Sequence, residues 1–82
     1  MWRDVRLYLD DMRESCERIM SYSHGLTFDQ FVDDKKTFDA IVRNLEIIGE
    51  AAKHIPAEIR RRYADVEWTK IAGLRDMVAH DY

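Results

Sequence analysis

The sequence closes on GLRDMVAHDY, where Arg75 and His80 are separated by four residues and Tyr82 follows two further on. A guanidinium stays charged and meets phosphate oxygens through a rigid fork, so Arg75 is a candidate for steadying charge that develops on phosphorus. An imidazole with an ordinary pKa of ~6.5 donates or accepts a proton near neutrality, so His80 is a candidate acid or base. A blander account is also open: Arg75 paired with an acid, His80 a solvated cation at a helix end, Tyr82 a half-buried ring.

On one unbroken helix Arg75 and Tyr82 share a face bordering an apolar stripe. His80 falls about 140° from Arg75, in line with Gly73 and Asp76. A small ligand then cannot meet Arg75 and His80 together. Either the helix ends or bends near His80, or a second copy of the chain completes the site. Gly73, on the His80 side, would let another backbone or a nucleotide come close.

Other chemistry-bearing residues sit upstream. Arg43, Ile47, Glu50 and His54 share one face of a long helix. They either line the same cleft, with Glu50 orienting a cation, or form a surface cluster. Ile47 is out of place on a purely solvated face; a second contact surface or a single stray exposed isoleucine explains it. His24 beside Gly25 reads as a helix-end residue. Cys16 lies on an apolar stripe and reads as packing. The run Arg60–Arg61–Arg62 reads as a solvated helix face.

The elements that must position these residues are helical. Val5, Tyr8, Leu9, Met12, Cys16 and Ile19 recur at three- and four-residue steps, predicting a helix from about Arg3 to Tyr22 with Gly25 as its stop. Asp4 lies where negative charge suits a helix start. Thr27 and Gln30 match a capping box and predict a short helix to about Asp33 or Asp34. A second long helix, about Lys35 to His54, carries Phe38, Ile41, Val42, Leu45, Ile48 and Ala52. Pro56 ends it and opens a short helix in PAEIRRRY. A last helix begins near Glu67 with Trp68, Ile71, Leu74 and Val78 inward. No strand alternation, Gly-rich phosphate loop or Cys/His metal spacing is present. The expected class is all-α.

Eighty-two residues allow one small domain. A net charge of −3 excludes a wholesale electrostatic nucleic-acid binder, so any RNA contact has to be local. The single cysteine forms no internal disulfide and fits a reducing compartment. No apolar run approaches the ~18 residues of a membrane span, so a cytoplasmic protein without a membrane partner is expected.

The blocks RDVRLYLDDM, RNLEIIGEAAKHIP, YADVEWTKIAGLRD and RDMVAHDY, in this order and separation, resemble the HepT-like family of HEPN toxins, which are encoded beside MntA-type nucleotidyltransferases. The resemblance implies a small helical bundle of the HEPN type, with three longer helices and short connecting ones. It implies a homodimer in which the Arg-x-x-x-x-His motifs of two chains meet in a cleft. It implies a metal-independent, cofactor-free ribonuclease that cuts RNA as the toxin of a toxin–antitoxin pair. Arg75 and His80 would be the catalytic pair. Tyr82 would be the tyrosine that the partner nucleotidyltransferase modifies with AMP, silencing the toxin. Such proteins usually continue past this tyrosine into a further helix. Residues 1–82 are therefore read as one HepT-like domain lacking it, with tighter dimerisation or a less stable fold as the expected result. The alternative is a non-catalytic helical module that docks the nucleotidyltransferase.

Overall fold

The computed structural model describes residues 3–81, with the side chains of residues 78, 79 and 81 outside the description. Among the described residues there are six helices and no strand, the all-α class expected from the periodicity. Helix α1 spans Val5–Ser23. It starts there because the Asp4 carboxylate accepts the Arg6 backbone N–H at 2.8 Å, satisfying a donor that has no partner inside the helix. It stops because Gly25 takes φ 75°, a left-handed conformation that side chains resist, with His24 as the C-cap.

Helix α2, Phe28–Asp33, opens on the expected capping box. The Thr27 N–H donates to Gln30 Oε1 at 2.9 Å, and the Gln30 N–H donates to Thr27 Oγ1 at 3.2 Å. Asp34 then ends α2 and begins α3, Lys35–Lys53, by accepting the Thr37 N–H at 3.2 Å. Pro56 precedes α4, Ala57–Arg62. The last helical stretch begins after Glu67 as expected but comes in two pieces, α5 (Trp68–Ala72) and α6 (Leu74–Asp81). Gly73 is the break: its N–H closes a bond to Thr69 O, yet its ψ of −8° no longer continues α-helical geometry. Glycine is also the weakest helix former after proline.

Helix α3 is the hub, packing against α1, α2, α5 and α6. Its buried residues are Ile41, Asn44, Ile48, Gly49, Ala51 and Ala52, with Ile55 buried just beyond its end. Asn44 donates Nδ2–H to Ala40 O at 2.8 Å, while its buried Oδ1 has no partner among the described residues. Three small residues in the last third of α3 let neighbouring backbones come close. A Cβ at Gly49 would stand 3.0 Å from the Arg75 nitrogen and 3.2 Å from the Ile71 oxygen, so the start of α6 rests directly on α3.

The phase of α1 differs from expectation. Val5, Tyr8, Met12 and Ile19 are half-buried, but the fully buried residue is Ser15, while Leu9 and Cys16 are exposed. The reading of Cys16 as core packing is thus corrected. At 100° per residue Val5, Tyr8, Met12, Ser15 and Ile19 fall on one stripe, and Cys16 lies about 60° from its centre. Val78, placed on the inward stripe of the last helix, has its side chain outside the described residues, while Trp68, Ile71 and Leu74 are half-buried. No helix among the described residues is long and apolar enough to cross a membrane.

Candidate functional site

The N-terminal part of α1, the middle of α3 and the start of α6 enclose a cavity of about 270 Å³, lined among others by Arg3, Tyr8, Arg43, Ile47, Glu50 and Arg75. The 3.6-residue repeat of α3 brings Arg43, Ile47 and Glu50 to one wall. The close approach at Gly49 sets Arg75 against that wall. Arg75 Nη1 donates to Glu50 Oε2 at 3.2 Å. The other oxygen, Glu50 Oε1, lies 3.5 Å from His54 Nε2 one turn on. His54 in turn stacks on Tyr8, with ring centroids 4.5 Å apart and planes 7° from parallel. Above Tyr8 stands the Arg3 guanidinium, 4.7 Å from the ring centroid and fixed by Asp11 at 2.7 Å. The Asp11 hydrogen bond holds the Arg3 pKa above its ordinary value. A continuous chain of contacts thus runs from Arg3 through Tyr8, His54 and Glu50 to Arg75.

Every arginine in this cavity has a carboxylate. Arg3 has Asp11, Arg75 has Glu50, and Arg43 has Glu46 at 3.6 Å. Three cations against three anions leave the cavity formally neutral. A phosphate entering it meets arginines whose charge is already matched, although Arg75 spends only Nη1 on Glu50.

The structure gathers Arg43, Glu50 and Arg75 in the cavity and joins His54 to them through Glu50. Gly73, Asp76 and His80 do not line it. Gly73 has only ordinary contacts at 3.5 Å and acts as the α5–α6 break, while Asp76 lies 3.8 Å from Lys53 Nζ. His80 is exposed near the end of α6. That helix is unbroken from Leu74 to Asp81, so Arg75 and His80 are about 140° apart around it and ~7.5 Å apart along it. The break falls before Arg75, not near His80, and one chain does not turn both groups to a common point. Tyr82 lies outside the described residues.

Sequence reasoning missed Gly49 and the Arg3–Tyr8–Asp11 contribution. Gly49 carried a signal, because a glycine between good helix formers in EIIGEAA costs about 1 kcal/mol relative to alanine and marks a close approach. Arg3, Tyr8 and Asp11 carried none, since only tertiary packing brings them to α3.

An α-helical bundle whose hub helix anchors the arginine of a closing Arg-x-x-x-x-His motif is the class defined by these observations. The Ribonuclease HepT-like family model matches residues 12–82, and the chain belongs to that family. It is 42% identical over 80 residues to "Putative RNase MJ0127" of Methanocaldococcus jannaschii, covering 98% of this chain and 66% of the relative. It is 43% identical over 77 residues to "Putative RNase TTE0752" of Caldanaerobacter subterraneus, covering 94% of this chain and 69% of the relative. To "Probable ribonuclease HepT" of Thermococcus cleftensis it is 40% identical over 82 residues, covering 100% of this chain and 74% of the relative. The chain therefore spans about two thirds of the length of these curated relatives. No solved structure matches it.

Proposed function

We propose that the protein is a ribonuclease toxin of a toxin–antitoxin pair, working in the cytoplasm as a homodimer on RNA. The observation that carries this reading is the placement of Arg75, held over the α3 cavity by Glu50 on the same short helix that leaves His80 exposed. Family membership and relatives named as ribonucleases support the reaction class. The separation of Arg75 from His80 supports a site shared between two chains.

In the proposed reaction an imidazole takes the proton of a ribose 2′-hydroxyl. The 2′-oxygen attacks phosphorus, and the P–O5′ bond breaks as the 5′-oxygen receives a proton from the other imidazole. The products are a 2′,3′-cyclic phosphate and a 5′-hydroxyl. Two copies of His80, one per chain, supply base and acid. Arg75 binds the non-bridging oxygens as their charge grows, through the N–H donors that Glu50 does not use, while Glu50 holds its Nη1. No bond in this sequence calls for a metal ion. Tyr82 is the proposed acceptor of AMP from an MntA-type nucleotidyltransferase. The added bulk and negative charge beside Arg75 would exclude RNA.

The alternative, a non-catalytic module that docks the nucleotidyltransferase, draws on the neutral, fully paired cavity. One experiment separates the two. Purified protein is incubated with tRNA and mRNA with and without EDTA, alongside His80→Ala and Arg75→Ala. The ribonuclease reading expects cleavage with cyclic phosphate ends, unaffected by EDTA and lost in both variants. Cleavage that survives in either variant refutes the catalytic assignment, and intact RNA with every protein favours the docking module. Incubation with the nucleotidyltransferase, ATP and Mg²⁺ should add AMP to the peptide ending in Tyr82 and none to Tyr82→Phe.

A further inference from the structure

The arginines of this chain are not equivalent. Seven of nine have a carboxylate within 3.9 Å: Arg3, Arg6, Arg13, Arg18, Arg43, Arg62 and Arg75. Among the described residues Arg60 and Arg61 have none; they are consecutive on α4 and line the same groove, a cavity of about 510 Å³ between α4 and α5. Lys70 and Glu67 complete its charged rim and pair with each other at 3.4 Å. Three cations against one carboxylate leave this rim at +2, in a chain of net charge −3. The Arg75 cavity, with its three matched pairs, contributes no such attraction. Arg60 is half-buried, and its buried Nε has no hydrogen-bond partner among the described residues.

The rest of the groove is apolar and partly aromatic. Val66 and Trp68 line it, and the Trp68 indole is fixed by donating Nε1–H to Tyr63 O at 3.0 Å. A positive rim beside a fixed aromatic surface matches an unpaired nucleic-acid strand, which offers phosphates and free base faces side by side. A duplex hides its base faces. Helix α5 is followed, after the Gly73 break, by α6, so the groove and Arg75 are carried by consecutive helices.

We infer that the α4–α5 groove is a binding subsite for single-stranded RNA, with Arg60 and Arg61 on phosphates and the Trp68–Val66 surface against a base. The inference rests on the ribonuclease reading for the choice of RNA, and it supplies a local attraction that the neutral Arg75 cavity does not.

The test uses a fluorescein-labelled, single-stranded 2′-O-methyl oligoribonucleotide of about twelve nucleotides, long enough for one strand site. It lacks the 2′-hydroxyl and cannot be cut, so binding is read by anisotropy whether or not the protein is a nuclease. Wild type is compared with Arg60→Gln/Arg61→Gln, with Arg61→Glu alone, and with Arg62→Gln, whose arginine already pairs with Glu58. Arg61 is exposed, so its single variant keeps the test alive if the double variant loses its far-ultraviolet dichroism. The expected result is a roughly tenfold loss of affinity in the double variant and a salt-dependence slope lower by about 1.4, two phosphate contacts at ~0.7 each. Arg61→Glu should weaken binding in the same direction and Arg62→Gln should leave it within about twofold. Unchanged affinity in the Arg60 and Arg61 variants overturns the assignment, as does an equal loss from Arg62→Gln.

Discussion

Glu50 uses both of its oxygens, one on Arg75 and one facing His54, and this divided role sets what each side chain can do. The side chains of the Arg75–Glu50 pair are 55% and 48% exposed, so water screens the pair and it adds at most about 1 kcal/mol to stability. Its consequence is orientation. Glu50→Gln should shift the melting temperature by less than about 8 °C, the effect of ~1 kcal/mol in a chain this small. The same variant should lower the single-turnover RNA cleavage rate roughly tenfold, because a misdirected Arg75 no longer meets the phosphorane. Arg75→Lys should not restore a rate lost in Arg75→Ala, since an ammonium lacks the planar fork. Wild-type cleavage by Glu50→Gln would remove the positioning role. Arg43, Glu50 and His54 were legible as a group because helical spacing alone aligns them. Arg3 and Tyr8 were not, because their approach to His54 depends on how α1 crosses α3.

At the scale of elements, caps and glycines decide where the helices lie. Gly49 admits α6, and Gly49→Ala puts a methyl group 3.0 Å from backbone that cannot swing away. Overpacking costs ~1–3 kcal/mol and the helix gains ~1 from alanine, so a net loss of about 1 kcal/mol is expected in urea denaturation. Cleavage should fall further than stability, because the displaced atom is the Arg75 nitrogen itself. The α1 cap gives a pH signature. The Arg6 side chain, and next its backbone N–H, hold the Asp4 carboxyl down at about 2 from an ordinary 3.8. A depressed folded-state pKa stabilises above the unfolded value and is lost as pH falls through the folded one. Asp4→Ala should therefore melt below wild type near pH 7, and the gap should close between about pH 4 and pH 2. A gap constant across that range would deny Asp4 its capping charge. The starts of α1 and α2 were legible because capping is written in residues three or fewer apart. The α5–α6 break was harder to read, because Gly73 fits a helix interior as well as its interruption until the packing on α3 is known.

The whole molecule is more open than its size requires. Its radius of gyration is 13.8 Å, against ~12 Å for a compact chain of this length. Its surface of 6407 Å² exceeds the ~5,200 Å² typical of a compact monomer of 9.8 kDa. The difference is larger than the ~800 Å² that each partner gives to an ordinary interface. Apolar side chains account for part of it, with Met20 71% and Phe28 76% exposed and Met77 on α6 48% exposed. The proposed dimer would cover part of this surface, with α6 and the Ile47 face of α3 as its expected interface. Sedimentation at micromolar concentration should find two chains together, and a monomer there would defeat the shared-site reading. The correction at Cys16 has a practical consequence. An outward thiol that occurs once per chain takes one nitroxide label without disturbing the buried residues of α3. Two labels in an assembly then report a single separation by electron spin resonance, fixing how α1 of one copy faces α1 of the other. An isolated chain would give no dipolar signal at all.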